Sequence, residues 1–361
     1  MVDLVCSYPL RASTYSPDLH NLRALFRLGT LSIGLFVSAA QPVAADFFVC
    51  ATPHLAPSLR VARPSPLISG AARSAQASRT AQVAPNVARG SYNALVLFAR
   101  FADEAVGDNR KPLWADDLFD SALPGSFTHF YDEMSRGQLS VAGDVAAKRY
   151  VSLSPRANYI AAEAGTFGDY GRFNLEILEQ ADEDIDLGLF DNEGPDGVPN
   201  SGDDDGYVDV LFINLLTVPR DFFIGGATGL ASLGLLTDFL SDDAASGGGV
   251  IRVRSQFSGF GGTTQRGHVF SVTASTMCHE FAHVLGLPDL FDQSTVTASG
   301  QVDPAVDSAG IGKWGLMGLG TLGWGVEDGP NAFSAWSLAR LGWLGIDNSR
   351  LVELNGSSPA H

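Results

Sequence analysis

Cysteine is nearly absent: Cys6, Cys50 and Cys278 are the only three in 361 residues. Three thiols cannot build a disulfide framework, so the fold must rest on an apolar core. At 45% hydrophobic residues the chain has the material for one. Basic side chains are scarce as well, 23 against 40 acidic, for a formal net charge of -17. The imbalance is uneven. Residues 1–90 hold eight arginines, no lysine and three acids, whereas the remainder holds 15 basic and 37 acidic residues. A surface that acidic repels nucleic acid and anionic membranes, which excludes both as partners. The apolar run Leu28–Ala40 is too short to span a bilayer. No glutamate occurs between Glu280 and Glu327, an absence that bears on the metal chemistry below.

The short apolar run has the length of a signal-peptide core. It follows Arg23 and Arg27 and ends at the small residues Val43-Ala44-Ala45, so residues 1–45 read as a leader cut after Ala45. Residues 46–90 are rich in Ala, Pro, Ser and Arg without periodicity, and read as a largely disordered propeptide or linker. Cys6 and Cys50 fall in segments expected to be removed, and no motif around Cys50 supports a role as a cap on a metal. A catalytic domain is expected over 91–346, and 347–361 as a C-terminal stub.

The densest chemistry lies at Cys278–Asp292, CHEFAHVLGLPDLFD. His279 and His283 stand four apart, so on a helix both imidazoles reach one metal ion. Glu280 lies beside the open position and is placed as general base toward a zinc-activated water. Gly286 suits a left-handed helix end and Pro288 forbids continuation, so the chain folds back and presents Asp289 as third ligand. With no downstream glutamate near, a third ligand from a second helix is disfavoured. Asp292 is an alternative or an outer-shell carboxylate. Cys278 points about 100° away from His279 and is expected to pack behind the site.

A second motif is acidic. Asp191–Asp209 (DNEGPDGVPNSGDDDGYVD) supplies closely spaced oxygens for calcium, with Asp191, Asp196, Asp203, Asp205 and Asp209 as candidate ligands. Around these motifs we expect a buried strand at Ala94–Ala99, a helix over 126–135, a short strand at Gln138–Val141 and a helix over 172–185. Further expectations are strands at Tyr207–Leu215, Val250–Val253 and His268–Val272, and helices over 229–240 and 331–341. The Thr273–Thr276 hydroxyls suit the entrance of the metal helix. Met317, in a tight turn downstream of the extended motif, reads as the Met-turn of metzincins.

HEFAHVLGLPDLFD (279–292), YDEMSRGQLSVAG (131–143), the acidic loop, WGLMG (314–318) and AWSLARLGWL (335–344) together resemble the secreted metalloproteases of the immune inhibitor A family, a metzincin-like group. Leu319 stands where many metzincins carry a tyrosine. The resemblance implies a secreted zinc endopeptidase with a signal peptide, a prosegment and bound calcium. His279, His283 and Asp289 match the metal positions and Glu280 the catalytic glutamate. The expected fold is α+β, a twisted mixed sheet over the zinc helix with a mostly helical lower part. A cleft between them would take a protein or peptide substrate as an added strand, and a monomer is expected. The reading from another class is a catalytically inactive, calcium-stabilised extracellular binding module.

Overall fold

Six successive apolar residues, Ala94–Ala99, suit a strand covered on both faces. They form the centre of β1 (Gly90–Arg100), which pairs in parallel with β2 (Leu139–Val151) on one side and β3 (Val210–Leu215) on the other. β3 pairs in parallel with β7 (Thr263–Arg266), and the two-residue β4 (Gly229–Leu230) closes the sheet antiparallel to β7. The order is β2-β1-β3-β7-β4. β5 (Phe239–Ala244) and β6 (Val250–Val253) make a separate antiparallel pair. The computed structural model describes residues 50, 88–105, 107–291, 309–325 and 328–344, all within one compact unit, Ala45–His361. The expected leader, the 46–90 segment apart from Cys50 and 88–90, Asp292 and the 347–361 stub lie outside the described residues.

The period of two along the strands sorts the core into two faces. Leu95, Leu97, Leu211 and Ile213 face a cluster with Phe173, Ile177 and Ala181 of α2 (Tyr170–Asp182). Val96, Phe98, Val210 and Phe212 face the other way, onto α1 (Phe127–Ser135) and α3 (Phe270–Val284). Phe127 lies edge-on or tilted to Tyr131, Phe212 and Phe281, joining both helices to the sheet. The result is a mixed α+β fold, with the motif helix α3 carried on one face of a mostly parallel sheet. Among the described residues no helix is long and apolar enough to cross a membrane.

Several elements differ from expectation. β2 runs on to Val151 because it is the sheet edge, where Asp144, Lys148 and Arg149 are tolerated. The expected helix over 229–240 is absent. Gly234 holds φ +69 with the Tyr170 ring against it, and the segment splits into β4, a turn and the start of β5. The expected strand at His268–Val272 is the entrance to α3, and the preceding strand is β7. Thr273 Oγ1 donates to Val269 O at 2.7 Å and Thr276 Oγ1 to Val272 O at 2.9 Å. These hydroxyls bond back along a helix that is buried from Val272 on, instead of capping it. The segment after α3 is not mostly helical. Its described residues hold one 3-10 turn, Gly312–Trp314, and the six-residue α4 (Ala335–Arg340), whose N-cap Ser334 accepts from Ser337 N.

Candidate metal centre

Helix α3 is buried along nearly its whole length, so its polar side chains need internal partners. His279 Nδ1 lies 3.0 Å from Leu316 O, and His283 Nδ1 lies 2.8 Å from Leu287 O. A carbonyl only accepts, so both Nδ1 atoms carry the proton and both Nε2 atoms present lone pairs. Those two Nε2 atoms are 3.2 Å apart. Asp289 Oδ1 is 3.1 Å from His279 Nε2 and 3.6 Å from His283 Nε2. Two lone pairs and a carboxylate converging in a buried space require a positive charge between them. Burial pulls the His279 pKa down, but the hydrogen bond and charge of Asp289 outweigh it and the net shift is upward. The surroundings thus favour a cation, and the donor set fits a single metal ion.

Local sequence builds this geometry. Gly286, at φ +93, ends α3: Leu287 N donates to Ala282 O at 3.0 Å and Gly286 N to His283 O at 2.9 Å, the paired bonds of a Schellman turn. The turn reverses the chain toward Asp289, and its Leu287 carbonyl orients His283. Leu290 N then donates to Met317 O at 2.6 Å, and Ile311 N to Leu290 O at 3.0 Å. Gly310 (φ +55) must be glycine here, since a Cβ would lie 1.6 Å from Leu290 O. The Met317 segment is therefore tied to the Asp289 segment, and Met317 is buried in the same apolar cluster as Cys278, Phe281 and Leu316. Its predecessor Leu316 supplies the carbonyl that orients His279. Glu280 is fully buried.

Cys278 packs behind the centre, as expected. Burial raises its thiol pKa well above the ordinary value, and Tyr131 Oη donates to its carbonyl at 2.6 Å. His268 is not among the clustered donors. Sequence reasoning missed two groups. Thr321 Oγ1 lies 3.0 Å from His279 Nδ1 and donates to Leu316 O at 3.2 Å. Cys50, dismissed for want of a motif, is buried with its Sγ 3.3 Å from His283 Nε2. The Cys50, His279, His283 and Asp289 ligand atoms all lie within 4.8 Å of one another. A lone cysteine in an aperiodic segment carries no local signal of such a contact.

The acidic loop gathers a different set from the one expected. Asp191, Glu193 and Asp205 offer oxygens within 4.8 Å of one another, and Asp209 neighbours them through the Asn192 N bond to its Oδ2 at 2.8 Å. Asp196 and Asp203 turn instead toward Ser201. Gly206 N donates to Asp191 Oδ2 and Asp205 N to Glu193 Oε1. The other oxygens, Asp191 Oδ1, Glu193 Oε2 and Asp209 Oδ1, are buried and meet no donor. Burial first, then the neighbouring carboxylates, push Asp191 up to about 6, Asp209 to about 8 and Glu193 to about 9. Glu193 stood inside the motif but lacked the Asp-and-Gly spacing that drew attention to its neighbours.

Residues 115–342 match the model of the family described as "Immune inhibitor A peptidase M6, catalytic domain". That is well over half of the chain, and the chain belongs to this family. It is also similar to "Pre-pro-metalloprotease PrtV" of Vibrio cholerae serotype O1, from strain M66-2 and from strain ATCC 39315 / El Tor Inaba N16961. Identity is 27% over 226 residues, covering 59% of this chain and 23% of the relative's length. The match thus spans under a quarter of the relative. A metallopeptidase, a hydrolase acting on peptide bonds, is the class these findings support.

Thr321→Val should weaken metal binding by roughly tenfold to a hundredfold, the usual effect of losing an outer partner of a ligating histidine. Competition with a chromophoric chelator measures it, and an unchanged affinity would remove Thr321 from the centre.

Proposed function

We propose that this member of the immune inhibitor A peptidase family is a secreted, zinc-dependent endopeptidase, with His279, His283 and Asp289 as ligands and Glu280 as general base. The observation that carries the reading is the pair of imidazole Nε2 atoms 3.2 Å apart, with both Nδ1 atoms committed to carbonyls and Asp289 Oδ1 beside them. Two nitrogens and one carboxylate oxygen make a three-ligand set of the catalytic zinc kind. When bound, the ion would supply Lewis acidity to a water and to the scissile carbonyl. Glu280, next to the first ligand on the same helix turn, takes the proton of the attacking water and returns it to the leaving amine. Met317 and Leu316 hold the floor and the orientation of His279 beneath this chemistry, in the manner of a Met-turn.

Substrate would enter as an added strand at β4. That strand is an edge of the five-stranded sheet, and its Gly229 already forms a parallel bridge with Cys50, whose side chain reaches His283. An outer edge that takes a backbone bridge beside the metal ligands fits a peptide strand in the same place. The leader at 1–45, a prosegment at 46–90, the catalytic domain at 91–346 and the stub at 347–361 complete the proposed organisation. It is that of an exported protein acting outside the cell on proteins or peptides.

A structural calcium ion is proposed at Asp191, Glu193, Asp205 and Asp209. Hard cations take carboxylate oxygens, and three buried ones here have no donor. Arg254 pairs with Asp205 at the rim, so the net demand for positive charge falls on the inner three.

Replacing Glu280 by Ala should leave the metal content intact and lower casein hydrolysis by roughly a hundredfold or more. Robust hydrolysis by that variant would remove Glu280 from the mechanism. The acidic site predicts a pH signature. Its folded-state pKa values lie above the ordinary ones, so the stability contributed by the protonated forms is full below about pH 4. It is lost as pH rises through about 6, 8 and 9. Calcium added to the cation-stripped protein should accordingly raise Tm strongly near pH 9 and little near pH 5. Equal shifts at the two pH values would contradict the site.

A further inference from the structure

We propose that Cys50 is a fourth ligand to the metal, and that it holds the chain latent until its segment is cut away. The proposal rests on the metal-centre reading above. Cys50 lies more than two hundred residues from the helix it meets, yet it is fixed there twice. Its backbone forms a parallel bridge with Gly229 at the edge strand β4. Its Sγ lies 3.3 Å from His283 Nε2 and 3.8 Å from Glu280 Oε2, in a setting that leaves the residue 4% exposed. The sulfur thus falls inside the group of donor atoms that His279, His283 and Asp289 direct at one point. It does not form a disulfide.

The chemistry of the set changes once sulfur joins it. Two imidazole nitrogens, one carboxylate oxygen and one thiolate close a four-coordinate shell, which is the arrangement of a structural site. Hydrolysis needs the fourth position open for water. Ligation breaks the Sγ–H bond and forms a metal–Sγ bond, with no change of oxidation state. The released proton has an acceptor at hand, because Glu280 Oε2 is the carboxylate oxygen toward which the thiol points. The latch acts by occupancy: the sulfur fills the place that water would take. The bridge to Gly229 adds a second obstacle, since it covers the edge proposed for substrate.

Release reverses each step. Sγ regains the proton from Glu280 and withdraws, water enters, and β4 is uncovered. Residues 51–87 join Cys50 to β1 along the chain, so a cut among them would sever the covalent tie between the latch and the catalytic domain. Cys278 is no substitute latch, because its thiol is packed in the core behind the helix and burial keeps it protonated.

The test uses the full chain, wild type and Cys50→Ser, each stripped and loaded with cobalt(II). The wild type should show a near-ultraviolet sulfur-to-cobalt charge-transfer band, and Cys50→Ser should lose that band while keeping the visible cobalt absorption. The zinc-loaded uncut Cys50→Ser chain should hydrolyse casein faster than uncut wild type by about tenfold or more. Circular dichroism verifies that the variant is folded, and Cys50→Ala repeats the comparison without a hydroxyl. Cobalt bound by the wild type without the sulfur band would overturn the latch and leave the three-ligand centre standing. A band lost in the variant with no gain in activity would also overturn latency. Failure of both folded chains to bind cobalt would overturn the metal centre and the latch together.

Discussion

The carbonyl oxygens of Leu316 and Leu287 each accept an Nδ1–H, at 3.0 and 2.8 Å, and this leaves two Nε2 lone pairs aimed at one buried point. Neither carbonyl comes from the helix that carries the histidines. One belongs to the turn that ends α3, the other to the segment before Met317. The orientation of both imidazoles therefore depends on two chain reversals being in register with the helix. The backbone bonds Leu290 N to Met317 O and Ile311 N to Leu290 O fix that register, and Gly310 makes it sterically possible. Asp289 sits one residue before this junction, so the same bonds place the carboxylate.

The sheet explains why the centre is buried. The centres of β1 and β3, 94–99 and 210–213, are apolar on both faces, and the face bearing Val96, Phe98 and Phe212 packs against Phe127, Tyr131 and Phe281. α3 is pinned between this aromatic layer and the turns at Gly286 and Met317. Tyr131 contributes its ring to the layer and its hydroxyl to the Cys278 carbonyl, which connects the helical YDEM segment to the back of the motif helix. In so enclosed a space a thiol, a carboxylate and two imidazoles interact strongly.

Much of the centre was legible in the sequence because its information is local. The His279–His283 spacing, the Gly286 turn and the return to Asp289 occupy eleven consecutive residues, and each step follows from backbone geometry. The same holds for β1, α1 with its Ser126 cap, β3 and β6, whose patterns are complete within their own lengths. What was not legible came from elsewhere in the chain. Cys50 reaches the site through a bridge to Gly229, Thr321 through a turn, and Glu193 through a loop whose fold its neighbours dictate. The misread elements have the same origin. The apolar, Gly-containing segment after Gly229 resembled a helix until Tyr170 met Gly234. Val269–Thr276 resembled a strand leading into a capped helix, and buried threonines bonding back along the chain made it the first turns of α3.

The central claim is that His279, His283 and Asp289 hold one metal ion, and the most direct measurement is elemental analysis of the folded full chain beside its His283→Ala variant. The account predicts one zinc per wild-type chain and a loss of most of it in the folded variant, whatever calcium either retains. A folded wild-type chain without zinc, or equal zinc in both proteins, would contradict it.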